Sequence, residues 1–435
     1  MLLLSAKYGS FSTDVHRIAS IGSTADYTEL MAIVVQKYGG SSVSDVLKLR
    51  RVAERVMQTR QQGHNVVVVV SAMGDTTDDL LRLAKQVSPT PDRRELDMLL
   101  SAGERISMAL LSMAIRDLGG DAISFTGSQS GIITSDRHVD ARIIEVRPFR
   151  VQDELARGKI VVIAGFQGVS YRKEVTTLGR GGSDTTAVAM AAALNAEYCE
   201  ICSDVDGVYS ADPRVVPAAR RVGTLSYEET QEMAECGAKV LNAQAVEFAK
   251  EKGIAIYARA TSSSLPGTDP STDGTVVRKN PPRMPGTVVG VASERDVLVL
   301  ESDADADDLF TTLDEHHIAG KQLHMATDAT HTSLVISREN LHDEARVQAA
   351  LASRFGGRVR LVDGLGAVSA IGAGINATYA NIRAGSAALQ EAGIGSRGLS
   401  TSSFRITWMV PSDSVEAAVK ALHARLIESS APILP

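Results

Sequence analysis

The sequence predicts an α/β protein: a largely parallel central sheet covered by helices, followed by two ferredoxin-like α+β units. Three observations carry that expectation. From residue 33 onward, short apolar runs alternate with amphipathic ones, the pattern of consecutive βαβ units. Residues 66–70 are five valines in a row, as in a strand buried on both faces. Beyond residue 290 a β-α-β-β-α pattern occurs twice.

Residues 33–37 read as the first strand. A helix over 45–61 follows, with Val46, Leu49, Ala53 and Val56 on one face, Ser44 as its N-cap and Gly63 at its end. After the valine strand come helices over 77–87 and 96–118, the second stopped by Gly119 and Gly120. A strand near 121–125, a polar segment, a helix around 146–157 and a strand over 160–164 continue the series. An alanine-rich helix over 187–194 leads to a strand over 197–203. Five prolines and a cluster of Ser and Thr between 261 and 286 read as a linker or surface excursion.

The first repeat places strands at 297–301, 321–326 and 332–337 with helices at 306–316 and 342–355. The second places a strand at 368–371, a helix at 386–392, a segment at 398–403, a strand at 404–410 and a helix at 415–427. The expected divisions are an N-terminal extension over 1–30, loosely held or a mis-set translation start, a catalytic domain over 31–286, and small units over 287–360 and 361–435. A chain of 435 residues is too long for one ordinary core, in keeping with this division.

Composition excludes several classes. The formal charge of −7 gives no field toward nucleic acid or an anionic membrane. No run of 18 apolar residues is present and no signal-peptide core precedes residue 31, so no membrane span and a cytoplasmic location are expected. Three cysteines are too few for a disulfide framework. Cys199 and Cys202 fall three apart on an expected strand and so on opposite faces, as two small buried side chains rather than a redox or metal pair.

Two loops point to chemistry. Val34 to Ser42 reads V-V-Q-K-Y-G-G-S-S and Leu178 to Thr186 reads L-G-R-G-G-S-D-T-T. Each joins an apolar run, a cation, a glycine pair and hydroxyl residues before a helix, which presents bare N–H groups and positive charge to phosphate. Lys37 can reach polyphosphate, and Arg180 can grip a carboxylate in bidentate fashion. Ser183 and Asp184 open the next helix as N-cap and first-turn acid. Glu104, in S-A-G-E-R, can pair with an amino group, and Gly103 beside it marks a close approach. An acidic loop, Cys202 to Arg214, follows a strand end where sheets bind ligands; Asp204, Asp206 and Tyr209 stand in it, and Lys239 is a further cation for phosphate. Phosphoryl transfer fits these parts, because it needs positioned charge and no nucleophilic side chain.

Together with S-A-M-G-D-T-T at 71–77 and G-F-Q-G at 165–168, these motifs closely resemble the bacterial aspartokinases of the amino acid kinase family, from residue 31 to the end. The resemblance implies the amino acid kinase fold with two C-terminal ACT domains. It implies phosphorylation of the β-carboxylate of L-aspartate by ATP with Mg²⁺, the ion held mainly by the nucleotide. Lys37, Asp184 and Arg180 become the catalytic set. Ser41, Thr76 or Thr77, Glu104, Arg180 and Ser183 fall to aspartate. Lys37, Gly39, Gly40, Ser203, Asp204, Asp206, Tyr209, Arg214 and Lys239 fall to the nucleotide. A homodimer through the ACT-like units is implied, or association with a shorter regulatory subunit. The rival functions are a sister kinase acting on another small carboxylate such as N-acetylglutamate, and a non-catalytic amino acid sensor.

The departures lie in the small units. The Asp-x-Pro-Gly turn of an ACT domain is replaced by E-S-D-A-D-A-D-D at 301–308, and by A-N-I-R-A-G-S at 380–386 in the second unit. Weak lysine or threonine feedback is the expectation. Asn242 stands where the family more often has His or Gln.

Overall fold

The computed structural model describes residues 31–429, apart from 180, 239–240, 268, 317, 327–330, 339–340 and 342–343. The expected N-terminal extension, Arg180 and Lys239 therefore lie outside the described residues.

The chain opens with β1 (Ile33–Tyr38), α1 (Val46–Gln61) and β2 (Asn65–Val70). Asp45, not Ser44, caps α1, because its carboxylate reaches the Lys48 N–H at 2.9 Å. Two helices, α2 (Thr76–Val87) and α3 (Arg93–Leu100), precede α4 (Ala102–Asp117). The single helix expected over 96–118 is thus two, parted at Ser101. Gly103 falls in the first turn of α4, where its helix cost is small. By length and mean hydropathy 93–117 matches a membrane span, against expectation, yet the stretch buries Asp97 and Glu104 inside the fold.

β3 (Ala122–Phe125) follows, then β4 (Ile132–Thr134) and β5 (Ile143–Val146) within the segment read as polar. The expected helix around 146–157 shortens to α5 (Phe149–Ala156). β6 (Ile160–Ala164), β7 (Gln167–Ser170) and β8 (Val175–Thr177) lead to α6 (Gly182–Ala193) and β9 (Tyr198–Ser203). The domain closes with β10 (Thr224–Leu225), α7 (Tyr227–Glu235), α8 (Ala243–Lys252), β11 (Ala255–Ala260) and β12 (Gly274–Val277). β12 corrects the linker expectation, since it pairs antiparallel with β11.

Eight strands form the central sheet in the order β10-β12-β11-β9-β1-β2-β6-β3. The valine run alternates between two cores. Val67 and Val69 meet α6 on one face, while Val66, Val68 and Val70 meet α1 and α4 on the other. Cys199 and Cys202 divide between the same two cores, as the strand period requires. A second sheet, β5-β4-β7-β8, sits beside this layer.

The small units follow as β13 (Gly290–Ser302), α9 (Ala306–Glu315), β14 (Lys321–Met325), β15 (Thr332–Ser337), α10 (Glu344–Phe355) and β16 (Val359–Ile371). α11 (Ala380–Glu391), β17 (Gly398–Thr401), β18 (Arg405–Pro411) and α12 (Val415–His423) complete them. Their strands form one six-stranded sheet, β14-β15-β13-β16-β18-β17. The division expected at residue 360 falls inside β16, a continuous strand. Residues 297–302 of β13 begin the first unit, pairing with β15 and the start of β16. Residues 290–294 pair with the end of β16 and so supply the last strand of the second unit.

Candidate active site

β1, β2, β6 and β9 run parallel and bring their C-terminal ends to one edge of the sheet, where open α/β sheets bind ligands. Backbone bonds tie the loops there. Gly39 N donates to Cys202 O at 3.2 Å, Gly74 N to Gly40 O at 3.1 Å, and Gly165 N to Val70 O at 3.0 Å. Gly40 is set by close approach: a Cβ there would lie 2.9 Å from Ala72 O and 3.1 Å from Gly74 O. Ser41 is exposed, and its carbonyl accepts from Lys48 Nζ at 3.1 Å.

Lys37, next to last in β1, has Nζ 2.7 Å from Asp184 Oδ1, both side chains mostly buried. The angles are poor for a hydrogen bond, so the contact is one of charge. Asp184 stands in the first turn of α6, and Gly181, at φ 75°, is the cap residue. Ser183 is therefore inside the helix rather than its N-cap. It packs on Gly165, where a Cβ would lie 2.8 Å from Ser183 Oγ. Asn242 sits against Gly181, caps α8 through Gln244 N and Ala245 N, and accepts from Thr185 Oγ1 at 3.3 Å.

Glu104 occupies the first turn of α4, almost wholly buried. Its Oε1 accepts from Ala72 N at 3.1 Å, and its Oε2 has no hydrogen-bond partner. Burial pushes the carboxyl up to about 7, against the pull of backbone donors including Ala72 N–H. The close approach expected at Gly103 is present, since a Cβ there would meet Ala72 Cβ at 2.8 Å. Thr76 and Thr77 open α2 nearby in sequence, and Thr76 Oγ1 donates to Met73 O at 2.5 Å.

The acidic loop is more self-contained than its sequence indicates. Asp206 accepts from Tyr209 Oη at 2.8 Å and from Arg221 Nη1 at 2.9 Å, and these donors hold its carboxyl below the usual range against burial. Arg214 is mostly exposed and grips Asp212 in bidentate fashion. Ser203 Oγ donates to Val205 O at 3.2 Å, and Asp204 is exposed.

Sequence reasoning missed the polar network on the face of β1 opposite Lys37. Glu200 is fully buried, meets Arg55 Nη2 at 2.6 Å and Arg259 Nε at 3.3 Å, and accepts from Gln36 Nε2 at 2.8 Å. The two arginines reach onward to the Ser263 and Ser264 carbonyls in the loop after β11. The only signal was a Gln and a Glu interrupting the apolar runs of β1 and β9.

Among the described residues this edge presents the Lys37 cation, a helix N-terminus and glycine loops, equipment for moving a phosphoryl group between small molecules. The model of the Amino acid kinase family matches residues 32–258. An aspartokinase of Mycolicibacterium smegmatis is 49% identical over 411 residues, spanning 90% of this chain and 96% of that relative. One from Thermus thermophilus is 39% identical over 411 residues, spanning 90% and 98%. The crystal structure of E. coli aspartokinase III in complex with aspartate and ADP (R-state) superposes with a TM-score of 0.79 at 25% identity, covering 91% of this chain and 99% of that one. The chain belongs to the amino acid kinase family and, within it, to the bacterial aspartokinases.

Proposed function

We infer that the chain transfers the γ-phosphoryl group of ATP to the β-carboxylate of L-aspartate, giving 4-phospho-L-aspartate and ADP. The carrying observation is Glu104: a buried carboxylate with one unpartnered oxygen suits an ammonium group, and an acetylated amine has no charge to meet it. A β-carboxylate oxygen attacks the γ-phosphorus as the bond to the β–γ bridging oxygen breaks. The acceptor is already ionised, so no general base is required. Lys37 lies between the two substrates and meets the charge developing on the transferred group, and Asp184 holds its Nζ in place. Gly39, Gly40 and Ser41 form the phosphate-side loop, Gly39 N–H being tied to Cys202 O. Thr76 or Thr77, Arg180 and Ser183 complete the aspartate pocket. Ser203, Asp204, Asp206, Tyr209 and Arg214 surround the nucleotide, with Lys239 at its phosphates. Mg²⁺ carried on the nucleotide phosphates supplies further neutralising charge. ADP release measured with L-aspartate and with N-acetylglutamate tests the reading; turnover on the second alone overturns it.

The ATP-using reaction and the reduced cysteines suit the cytoplasm. A second copy of the chain covers the open part of the small-unit sheet. The edge strands β14 and β17 approach each other, Ser400 Oγ donating to Gln322 Oε1 at 2.7 Å. They flank a groove of about 880 Å³ that Val299, Val335, Leu365 and Met409 line, with Leu323 and Leu399 at the rim. Light scattering that finds only monomer, with no shorter regulatory chain added, overturns the homodimer.

Lysine and threonine control is weak. In the turn before α9, the N–H groups of Asp303 and Ala304 already bond to Arg358 O and Ser302 Oγ, and in the first turn of α9 the Asp308 N–H bonds to the cap Asp305 Oδ1. An effector carboxylate finds those donors taken. Asp303 and Asp308 are themselves engaged by His331 and Arg354, so occupied donors outweigh charge repulsion. Strong inhibition by sub-millimolar lysine or threonine, singly or together, overturns this.

A further inference from the structure

Asp97 in α3 is fully buried, and the transfer step gives it no direct part. Its carboxylate collects three partners from two other segments. Thr177 Oγ1 donates to Oδ1 at 2.5 Å, Val139 N donates to the same oxygen at 3.0 Å, and His138 Nδ1 lies 2.6 Å from Oδ2. Burial raises its pKa, and the bonds from Thr177, His138 and Val139 pull it back. Burying a carboxylate is unfavourable before such bonds form, so an apolar residue would hold these segments together at less cost.

The segments so joined are those that carry the two ends of the aspartate pocket. Thr177 ends β8 and stands three residues before Arg180. Ala141 N donates to Thr177 O at 2.9 Å, so the stretch 138–141 runs along the end of β8. Gly179, at φ 73°, lies against that stretch: a Cβ there would be 3.2 Å from Asp140 Oδ1. On the other side, α3 passes through Ser101 into the first turn of α4, where Glu104 stands. Gln167 Nε2 donates to Ser101 O at 2.9 Å and steadies that junction.

We propose that Asp97, with His138 and Thr177, is a clasp that fixes the end of β8 and Gly179 relative to the first turn of α4, and so holds the two sides of the aspartate pocket in register. Asp97 and Thr177 are positioning residues. They touch no substrate and act through Arg180 and Glu104, so the inference rests on the aspartate roles given to those two.

The test compares KM for aspartate and for ATP in Asp97→Asn, Thr177→Val, Thr177→Ser and Arg180→Ala. Removing one acceptor oxygen or one hydroxyl from the clasp should raise the aspartate KM about tenfold and leave the ATP KM within about twofold. Thr177→Ser, which keeps the hydroxyl, should restore most of the aspartate KM. An aspartate KM within about twofold of the parent in both Asp97→Asn and Thr177→Val overturns the clasp, as do equal rises in both KM values. If Asp97→Asn does not fold, the Val and Ser replacements at Thr177 carry the comparison alone. Arg180→Ala separates the two layers: an unchanged aspartate KM there overturns the anchor role itself, whereas a raised one with a silent Thr177→Val overturns only the clasp.

Discussion

At the scale of single residues, Glu104 makes the kinase sensitive to pH in a definite direction. Its carboxyl must be ionised to pair with an ammonium group, and burial holds it near 7. The aspartate KM should therefore fall about tenfold as pH rises from 6 to 8, with the ATP KM much flatter. A flat aspartate profile over that range contradicts the pairing. The free enzyme responds in the opposite sense. With a folded value above the ordinary 4.5, the group's contribution to stability is full below pH 4.5 and is lost as pH rises through about 7. By pH 8 the loss is roughly 3 kcal/mol. Glu104→Gln should therefore melt higher than the parent at pH 8 without substrate, and the gap should close near pH 5. Lys37→Ala should lower kcat by roughly 10²-fold or more while the fold persists, because Nζ meets charge that develops only in transfer. Near-parental turnover in pure, folded protein contradicts that role. Lys37, Asp184 and Glu104 were legible because each interrupts an apolar or small-residue run. The pairing of Arg214 with Asp212 was not, because a cation in a loop reads the same whether it faces ligand or its own neighbour.

At the scale of elements, the glycine loops owe their shape to backbone packed on backbone. Gly40→Ala would press a methyl onto the carbonyls of Ala72 and Gly74, neither of which can swing aside as a side chain does. The variant should raise the ATP KM and lower the melting temperature together; an unchanged nucleotide profile contradicts the tight stacking of the two loops. The network beneath makes a comparable demand. Glu200→Ala would leave Arg55 and Arg259 buried without their shared acid, a loss of about 3–5 kcal/mol. Chemical denaturation that finds less than about 1 kcal/mol lost speaks against the network. Strand and helix order came through from the periodicity of the apolar residues. The break at Ser101 did not, since both helices keep compatible apolar faces and Gly103, two residues on, reads equally well as a close approach inside one helix. β4 and β5 were missed because short strands among turn residues leave too few positions to show a period of two.

At the scale of the whole molecule, the parallel sheet and the twofold small-unit pattern were readable because each repeats a local signal many times. Their closure was not readable, since strand neighbours as far apart in the chain as β1 and β9, or β13 and β16, leave no trace in local spacing. β13 serves both small units, one with each half, so the second unit wraps around the first in the chain. The two are accordingly not interchangeable cassettes. A chimera that exchanges only 361–435 with a relative keeps a foreign last strand at 290–294 and must match it to a new partner register. One that carries 290–294 along with 361–435 keeps the seam intact, and it should express and melt cooperatively where the simpler exchange does not. Ribosomal order is constrained in the same way: the edge that the final helices need emerges before the whole first unit, held on one side only by the bond from Val291 N to Ser210 O, and its sheet partner follows only when the end of β16 has been made.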